Sequence, residues 1–152
     1  MIHVHDYSWA EEPGTGEWFS ICECGFMPSV PAWRVLITGS RRLLAGMGLE
    51  SSLGLELLYA DALGLPLVVI HGAAPGADTL AHEWAELIDG VTPDPHPANW
   101  RAGKQAGHVR NQVMVDHGAD VCLAFPLPGS TGTWDCVRRA EAAGIPVKVF
   151  EQ

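Results

Sequence analysis

Three apolar segments of this chain each run into a turn of small residues that precedes a helical pattern. The segments and turns are Arg34–Ile37 with Thr38–Arg41 (the first turn), Leu67–Ile70 with Gly72–Asp78 (the second turn) and Val121–Phe125 with Pro128–Thr133 (the third turn). A turn of this kind between a strand and a helix leaves backbone N–H groups uncovered at the helix N-terminus, where an anion can bind. Three of them predict a phosphate or nucleotide pocket.

From Trp33 onward the chain alternates strand-like and helical segments, which is the pattern of a parallel sheet with crossover helices. The predicted strands are Arg34–Thr38, Leu67–Ile70, Thr92–His96, Val121–Phe125 and Val147–Phe150. The predicted helices are Leu49–Leu63, Ala77–Leu87, Ala106–His117 and Thr131–Ala143. Five parallel strands joined by right-handed crossovers most simply take the order 3-2-1-4-5. We therefore expect an α/β fold, a Rossmann-like three-layer domain over residues 33–152, with the first and third turns facing each other between its first and fourth strands.

The size and charge of the chain exclude several classes of protein. Its 152 residues suffice for one domain with a small appendage, and 47% hydrophobic with 18% charged residues is typical of a folded globular protein. A net charge of -9 with nine Lys and Arg argues against nucleic-acid binding. No apolar run reaches the roughly 20 residues that a bilayer-spanning helix needs. The segment Met1–Asp6 does not look like a secretion signal, so we expect a cytoplasmic protein without a membrane partner.

Residues 1–32 differ from the rest and are predicted to form a small N-terminal appendage. His3, His5, Cys22 and Cys24 make up a two-His, two-Cys set that is suitable for a tetrahedral structural zinc. The alternative is an aromatic flap that packs on the main domain and keeps its thiols reduced. No other cofactor is expected.

Several of these segments together carry a resemblance to a known family. The motifs are Arg34–Arg41, His71–Asp78, Arg110–Met114 and Ala124–Thr133. They resemble the YspA-like branch of the SLOG superfamily, which also contains DprA and the "lysine decarboxylase-like" LOG phosphoribohydrolases. The resemblance implies a Rossmann-like, often dimeric domain that binds nucleotides or nucleotide-derived ligands. Some members hydrolyse the N-glycosidic bond of nucleoside monophosphates, and others hold or sense a ligand, in several cases in bacteriophage–host conflict.

The turns and the resemblance together give a set of candidate ligand-binding residues. The set is Gly39, Ser40, Arg41, Gly72, Ala73, Gly76, Asp78, Arg110, Asn111, Pro128, Gly129, Ser130, Gly132 and Thr133. Each has a structural alternative. Thr131 or Thr133 is a suitable N-cap for the helix after the third turn, and Asp78 is a suitable cap for Leu80. Arg110 and its neighbour would otherwise lie on a solvated helix face.

The third turn departs from the LOG pattern Pro-Gly-Gly-x-Gly-Thr-x-x-Glu. Ser130 replaces its second glycine and Cys136 occupies the position of its glutamate, while Asn111 stands where LOG enzymes have lysine. Asp135 is one residue early and therefore points about 100° away around the helix. The departures favour capture or sensing of a nucleotide-derived molecule over catalysis. The alternatives are a glycosidase or nucleotide hydrolase that uses Asp135 or Asp78, and a DprA-like single-stranded DNA binder.

Two further segments carry predictions. The loop Pro97–Gly107 is suited to closing over a ligand, with Trp100 stacking on a base or, alternatively, anchoring the loop. His108 is a candidate for proton transfer. The helix Leu49–Leu63 carries few charges, which indicates that a partner subunit covers one side and that the protein is a homodimer or higher homo-oligomer.

Overall fold

The computed structural model describes residues 7–11, 18–22 and 31–151, which fall into two compact units divided after Pro31. The first unit contains an antiparallel hairpin of β1 (Tyr7–Glu11) and β2 (Trp18–Cys22), in which Tyr7 lies opposite Cys22. The sequence does not predict this hairpin, because its strands are short and lie among turn-forming residues.

The predicted zinc set lies almost wholly outside the described residues. Only the backbone of Cys22, at the end of β2, is described, whereas His3, His5 and Cys24 are not. Within residues 7–11, 18–22 and 31–151, no group of three or more His, Cys, Asp or Glu side chains is placed to hold a metal ion. The zinc site therefore stays a prediction.

The second unit contains every element predicted from residue 33 onward, each ending within one residue of its predicted bounds. The elements are β3 (Trp33–Gly39), α1 (Leu49–Leu63), β4 (Leu67–His71), α2 (Ala77–Leu87), β5 (Val91–Pro95), a 3-10 turn (Trp100–Ala102), α3 (Ala106–Asp116), β6 (Val121–Phe125), α4 (Thr131–Ala142) and β7 (Val147–Val149). The agreement follows from the strong contrast between apolar strands, glycine-containing turns and longer helical segments.

The five strands form one parallel sheet in the order β5-β4-β3-β6-β7. When these five strands are numbered 1 to 5 in chain order, the order in the sheet is 3-2-1-4-5. The predicted Rossmann-like α/β fold is therefore confirmed. Strand β5 contains Pro93 and Pro95 and lies at the edge, where a missing N–H costs no ladder hydrogen bond. The connection from β4 through β3 to β6 places the topological switch point between β3 and β6.

Alternate residues of β3 supply the two sides of the core. Val35 and Ile37 pack with residues of α1 and α2, whereas Leu36 packs with residues of α3 and α4. All three β3 side chains are fully buried. Because both faces are covered by helices, the central strands consist of nearly continuous apolar residues, as parallel sheets require.

The first and second turns are in backbone contact, which only glycine permits. Gly76 has φ of 77°, and a Cβ added there would overlap the carbonyl oxygen of Ser40. A Cβ on Gly39 would lie 2.5 Å from that of Ala77. The amide of Ala77 donates to the Ser40 oxygen at 3.1 Å, and the Ser40 amide donates to the carbonyl oxygen of Phe125 at 2.9 Å. The carboxyl ends of β3, β4 and β6 are thereby held together.

One face of α1 remains apolar and exposed. Leu55, Leu58, Tyr59 and Leu63 expose between 49% and 68% of their surfaces. The homo-oligomer inferred from this helix stays a prediction. Among the described helices, none is long and apolar enough to cross a membrane.

Replacing Gly76 by Ala tests the contact between the first and second turns. We expect the free energy of unfolding to fall by about 2 to 4 kcal/mol, because the methyl group meets the Ser40 carbonyl oxygen in a backbone conformation that L residues rarely adopt. Gly54, in the middle of α1 with nothing within 4 Å of a Cβ added there, is the matched control. Gly54→Ala should stabilise the protein by about 0.5 to 1 kcal/mol. Urea denaturation measures both, and equal effects would contradict the packing described.

Candidate functional site

A cavity of about 510 Å³, here called the central cavity, opens at the switch point between the carboxyl ends of β3 and β6. Ten of the fourteen predicted ligand-binding residues line it, namely Gly39, Ser40, Arg41, Asp78, Arg110, Asn111, Gly129, Ser130, Gly132 and Thr133. An adjoining cavity of about 320 Å³ is lined by Gly72 and Ala73 and shares four residues with the central cavity. The shared residues are Arg41, Ala74, Trp100 and Arg110. Gly76 and Pro128 line neither cavity.

The central cavity concentrates positive charge in an acidic chain. Arg41, Arg42, Lys104 and Arg110 line it, which is four of the nine Lys and Arg that the chain contains. Among the described residues, Asp78 is the only carboxylate in its lining. The cavity is therefore suited to an anion, although the chain has a net charge of -9.

The third turn leaves two backbone donors free. Ser130 is the N-cap of α4 but makes no capping bond; its hydroxyl accepts from the amide of Leu127 at 3.0 Å. The first helical hydrogen bond runs from the Trp134 amide to the Ser130 oxygen. The N–H groups of Gly132 and Thr133 precede that bond and find no acceptor among the described residues. The alternative in which Thr131 or Thr133 caps this helix is wrong.

The second turn differs, because its donors are already used within the chain. The amides of Gly72 and Ala74 donate to Oδ2 of Asp78 at 3.0 and 3.2 Å. The amide of Ala73 donates to Nδ1 of His71 at 3.1 Å. The carboxylate of Asp78 thus occupies the place that an external anion would take, and the second turn offers no free N–H at these three residues.

Asp78 therefore binds the turn that precedes it. The amide of Leu80, the expected partner in the capping alternative, donates instead to the carbonyl oxygen of Gly76, so that alternative is wrong. Burial raises the pKa of Asp78 to about 6, and the hydrogen bonds from Ala74 and Gly72, with the charge of Arg110, limit the rise.

Arg110 and Asn111 face the site, which contradicts the alternative of a solvated helix face. The guanidinium of Arg110 lies over Gly72, where Nη1 donates to the Gly72 oxygen and a Cβ would not fit. Its Nε donates to Oδ1 of Asn111 at 3.1 Å. Nδ2 of Asn111, which is buried, donates to the carbonyl oxygen of Gly132 at 3.2 Å. The two side chains thereby connect α3 to the second and third turns.

Neither position linked to LOG catalysis presents a carboxylate to the central cavity. Cys136 is fully buried in the core, and burial raises the pKa of its thiol to about 11. Asp135 is also buried and does not line the central cavity. Its Oδ2 accepts from Asn111 Nδ2 and Arg139 Nε, both at 2.9 Å, and lies 3.1 Å from His108 Nδ1. Although burial opposes ionisation, these donors hold the pKa of Asp135 well below its usual range.

Arg42 also lines the central cavity, although it was not among the residues predicted from the sequence. Its guanidinium donates to the carbonyl oxygen of Pro128 at 2.7 Å and thereby links the first and third turns. Its position next to Arg41 was the only feature of the sequence that could have identified it as a lining residue. Trp100, predicted to stack on a base or to anchor the loop, lies with its ring under the guanidinium of Arg41, 5.4 Å from the ring centroid. Lys104 and His108 also reach the lining.

The fold and the cavity define a Rossmann-like α/β protein with an electropositive cavity at its switch point. No family model matches the chain. The chain is 50% identical over 122 residues to the Gene 61 protein of Mycobacterium phage D29, a match that covers 77% of this chain and 95% of that protein. The chain belongs to the same family as this phage protein.

The buried carboxyl of Asp78 makes a pH-dependent contribution to stability. Its pKa is about 6 in the fold against 3.8 for an ordinary aspartate, so the folded state holds its proton more tightly. This contribution is fully present below pH 4 and is lost as the pH rises to about 6. Asn keeps an acceptor for both turn amides and does not ionise. From pH 4 to pH 7, the free energy of unfolding of Asp78→Asn should therefore rise relative to that of the wild type by about 2 kcal/mol. Denaturation at both pH values measures it, and a difference that does not change with pH would contradict the assignment.

Proposed function

We propose that this protein binds a nucleotide-derived small molecule in the central cavity, with a phosphate group at the N-terminus of α4. The observation that carries the proposal is the pair of free N–H groups of Gly132 and Thr133 beside an electropositive lining. The positive end of the helix dipole adds to their attraction for an anion.

Two cations are available for that anion. Within the described part of the chain, neither Arg41 nor Lys104 makes a side-chain hydrogen bond or ion pair. Arg41 is held against Trp100 by its ring contact alone. A planar, permanently charged guanidinium beside two backbone donors is suited to a phosphate, which accepts several hydrogen bonds at once.

The base of a nucleotide can also be accommodated in the central cavity. The ring of Trp100 is 55% exposed and borders both cavities, so it offers a surface on which a base can stack. The volume of about 510 Å³ lies within the range of pockets for small molecules, about 300 to 1,000 Å³. A cavity of this size and a net charge of -9 favour a small ligand over single-stranded DNA.

The resemblance to SLOG domains supports the same assignment, and we include membership of that superfamily in the proposal. Cleavage of an N-glycosidic bond by the LOG mechanism is not part of it, because Cys136 stands where that mechanism needs a carboxylate. Some SLOG domains act in phage–host conflict, and the relative of this chain belongs to Mycobacterium phage D29. We therefore include capture of a nucleotide signal in such a conflict in the proposal.

Removing the free cations should weaken binding. We expect Arg41→Gln and Lys104→Gln each to raise the Kd for AMP by about 10-fold or more, because each loses a charge-assisted contact with phosphate. Arg138 does not line the central cavity, so Arg138→Gln is the matched control and should stay within about 2-fold of the wild type. Isothermal titration calorimetry with AMP, NAD, cyclic ADP-ribose and cyclic dinucleotides measures the effect and ranks the ligands. Absence of binding to the whole panel, or equal losses in all three variants, would contradict the proposal.

A further inference from the structure

His108 and Asp135 form a pair beside the central cavity. His108 lies on α3 and lines the cavity, with its side chain 44% exposed. Its Nδ1 lies 3.1 Å from Oδ2 of Asp135 on α4. Because Nδ1 is held by the carboxylate, Nε2 is the ring nitrogen left for a ligand or a water molecule.

Hydrogen bonds hold the carboxylate of Asp135 in a position where it orients the ring of His108. Arg139 and Asn111 each donate to the same oxygen at 2.9 Å, so the carboxylate is fixed from both helices and stays ionised. An ionised carboxylate on Nδ1 fixes the ring orientation and places the Nδ1 proton toward itself. The free Nε2 is then a base, as in the His–Asp pairs of hydrolases.

We propose that the central cavity hydrolyses a phosphodiester bond of its nucleotide ligand, with His108 as the general base and Asp135 as the residue that positions it. This activity goes beyond capture of the ligand. It rests on the proposed function in one respect, since the phosphate must lie at the free N–H groups of Gly132 and Thr133.

The step needs no oxidant or further reactant besides water. Nε2 of His108 takes a proton from a water molecule while the oxygen of that water molecule forms a bond to phosphorus. The bond from phosphorus to the leaving oxygen breaks, and that oxygen keeps the electron pair and takes a proton from solvent. The products are a phosphomonoester and an alcohol. The N–H groups of Gly132 and Thr133, with Lys104 of the lining, stabilise the charge that develops on the phosphoryl oxygens.

The chemistry favours a diester over a monoester. A monoester passes through a loose transition state in which bonding to the nucleophile contributes little, so a base assists it little. In the hydrolysis of a diester, the rate depends more on bonding to the nucleophile than it does for a monoester. A base that activates the attacking water molecule therefore accelerates the diester reaction more. A diester also carries substituents on both sides of its phosphorus, and the adjoining cavity, which shares Arg41 and Trp100 with the central cavity, provides the additional space.

The experiment measures turnover and binding by the full chain in parallel. The substrates are bis(p-nitrophenyl) phosphate, cyclic AMP and a dinucleoside monophosphate, with p-nitrophenyl phosphate as the monoester. Product release is followed by absorbance and liquid chromatography, and binding of AMP by calorimetry. The variants are His108→Asn, Asp135→Asn and the control His117→Asn, whose histidine packs on His96 at the end of α3 and does not line the cavity.

In His108→Asn the side-chain amide keeps a nitrogen that can donate to Asp135, but it has no counterpart of Nε2. We expect the wild type to cleave the diesters in preference to the monoester. His108→Asn should lower kcat by about 100-fold or more while the Kd for AMP changes less than about 3-fold. Asp135→Asn should lower kcat with little change in KM, which a purely structural role would not produce. His117→Asn should keep full turnover.

Two outcomes would overturn the inference. One is binding of AMP without turnover of any diester, which leaves the proposed function in place and makes the site a binding site only. The other is turnover that survives in His108→Asn. Failure of both binding and turnover in the folded wild type would instead contradict the proposed function itself.

Discussion

The backbone of Ser40 joins the ends of three strands, and the site depends on that junction. Its amide donates to Phe125 at the end of β6, and its carbonyl oxygen accepts from Ala77 at the start of α2. Its buried hydroxyl accepts from the amide of Arg42 at 3.1 Å, which shapes the first turn. Arg42 in turn reaches the third turn through Pro128. With Gly76 making room for this contact, the three turns are fixed relative to one another before any ligand is present, so little ordering entropy is lost on binding.

The three turns are similar in sequence, but they differ in the groups that they present to the central cavity. In the second turn the carboxylate of Asp78 takes the place of an anion and closes the turn. The first turn presents Arg41 toward the central cavity, and the third presents the free N–H groups of Gly132 and Thr133. The second turn is therefore satisfied within the chain, whereas the third turn keeps two N–H groups without an acceptor among the described residues. The raised pKa of Asp78 is the cost of burying that internal anion.

The sequence was sufficient to predict the fold from residue 33 onward, because strands, turns and helices there agree with one another at every level. It also indicated where the central cavity lies, since strand order alone brings the first and third turns together. Side-chain partners were not predictable in the same way. Whether Asp78 binds Leu80 or the second turn, and whether Arg42 faces solvent or Pro128, depends on contacts between distant segments. The pairing of His108 with Asp135 likewise depends on how α3 packs on α4.

In the proposed function the third turn, and not the second, receives the phosphate group of the ligand. The decisive measurement is the backbone amide NMR spectrum of the isotopically labelled protein during titration with AMP. We expect the resonances of Gly132 and Thr133 to shift downfield as their N–H groups gain an acceptor. Those of Gly72 and Ala74, already bonded to Asp78, should change little. Large shifts at Gly72 and Ala74 with none at Gly132 and Thr133 would contradict the account.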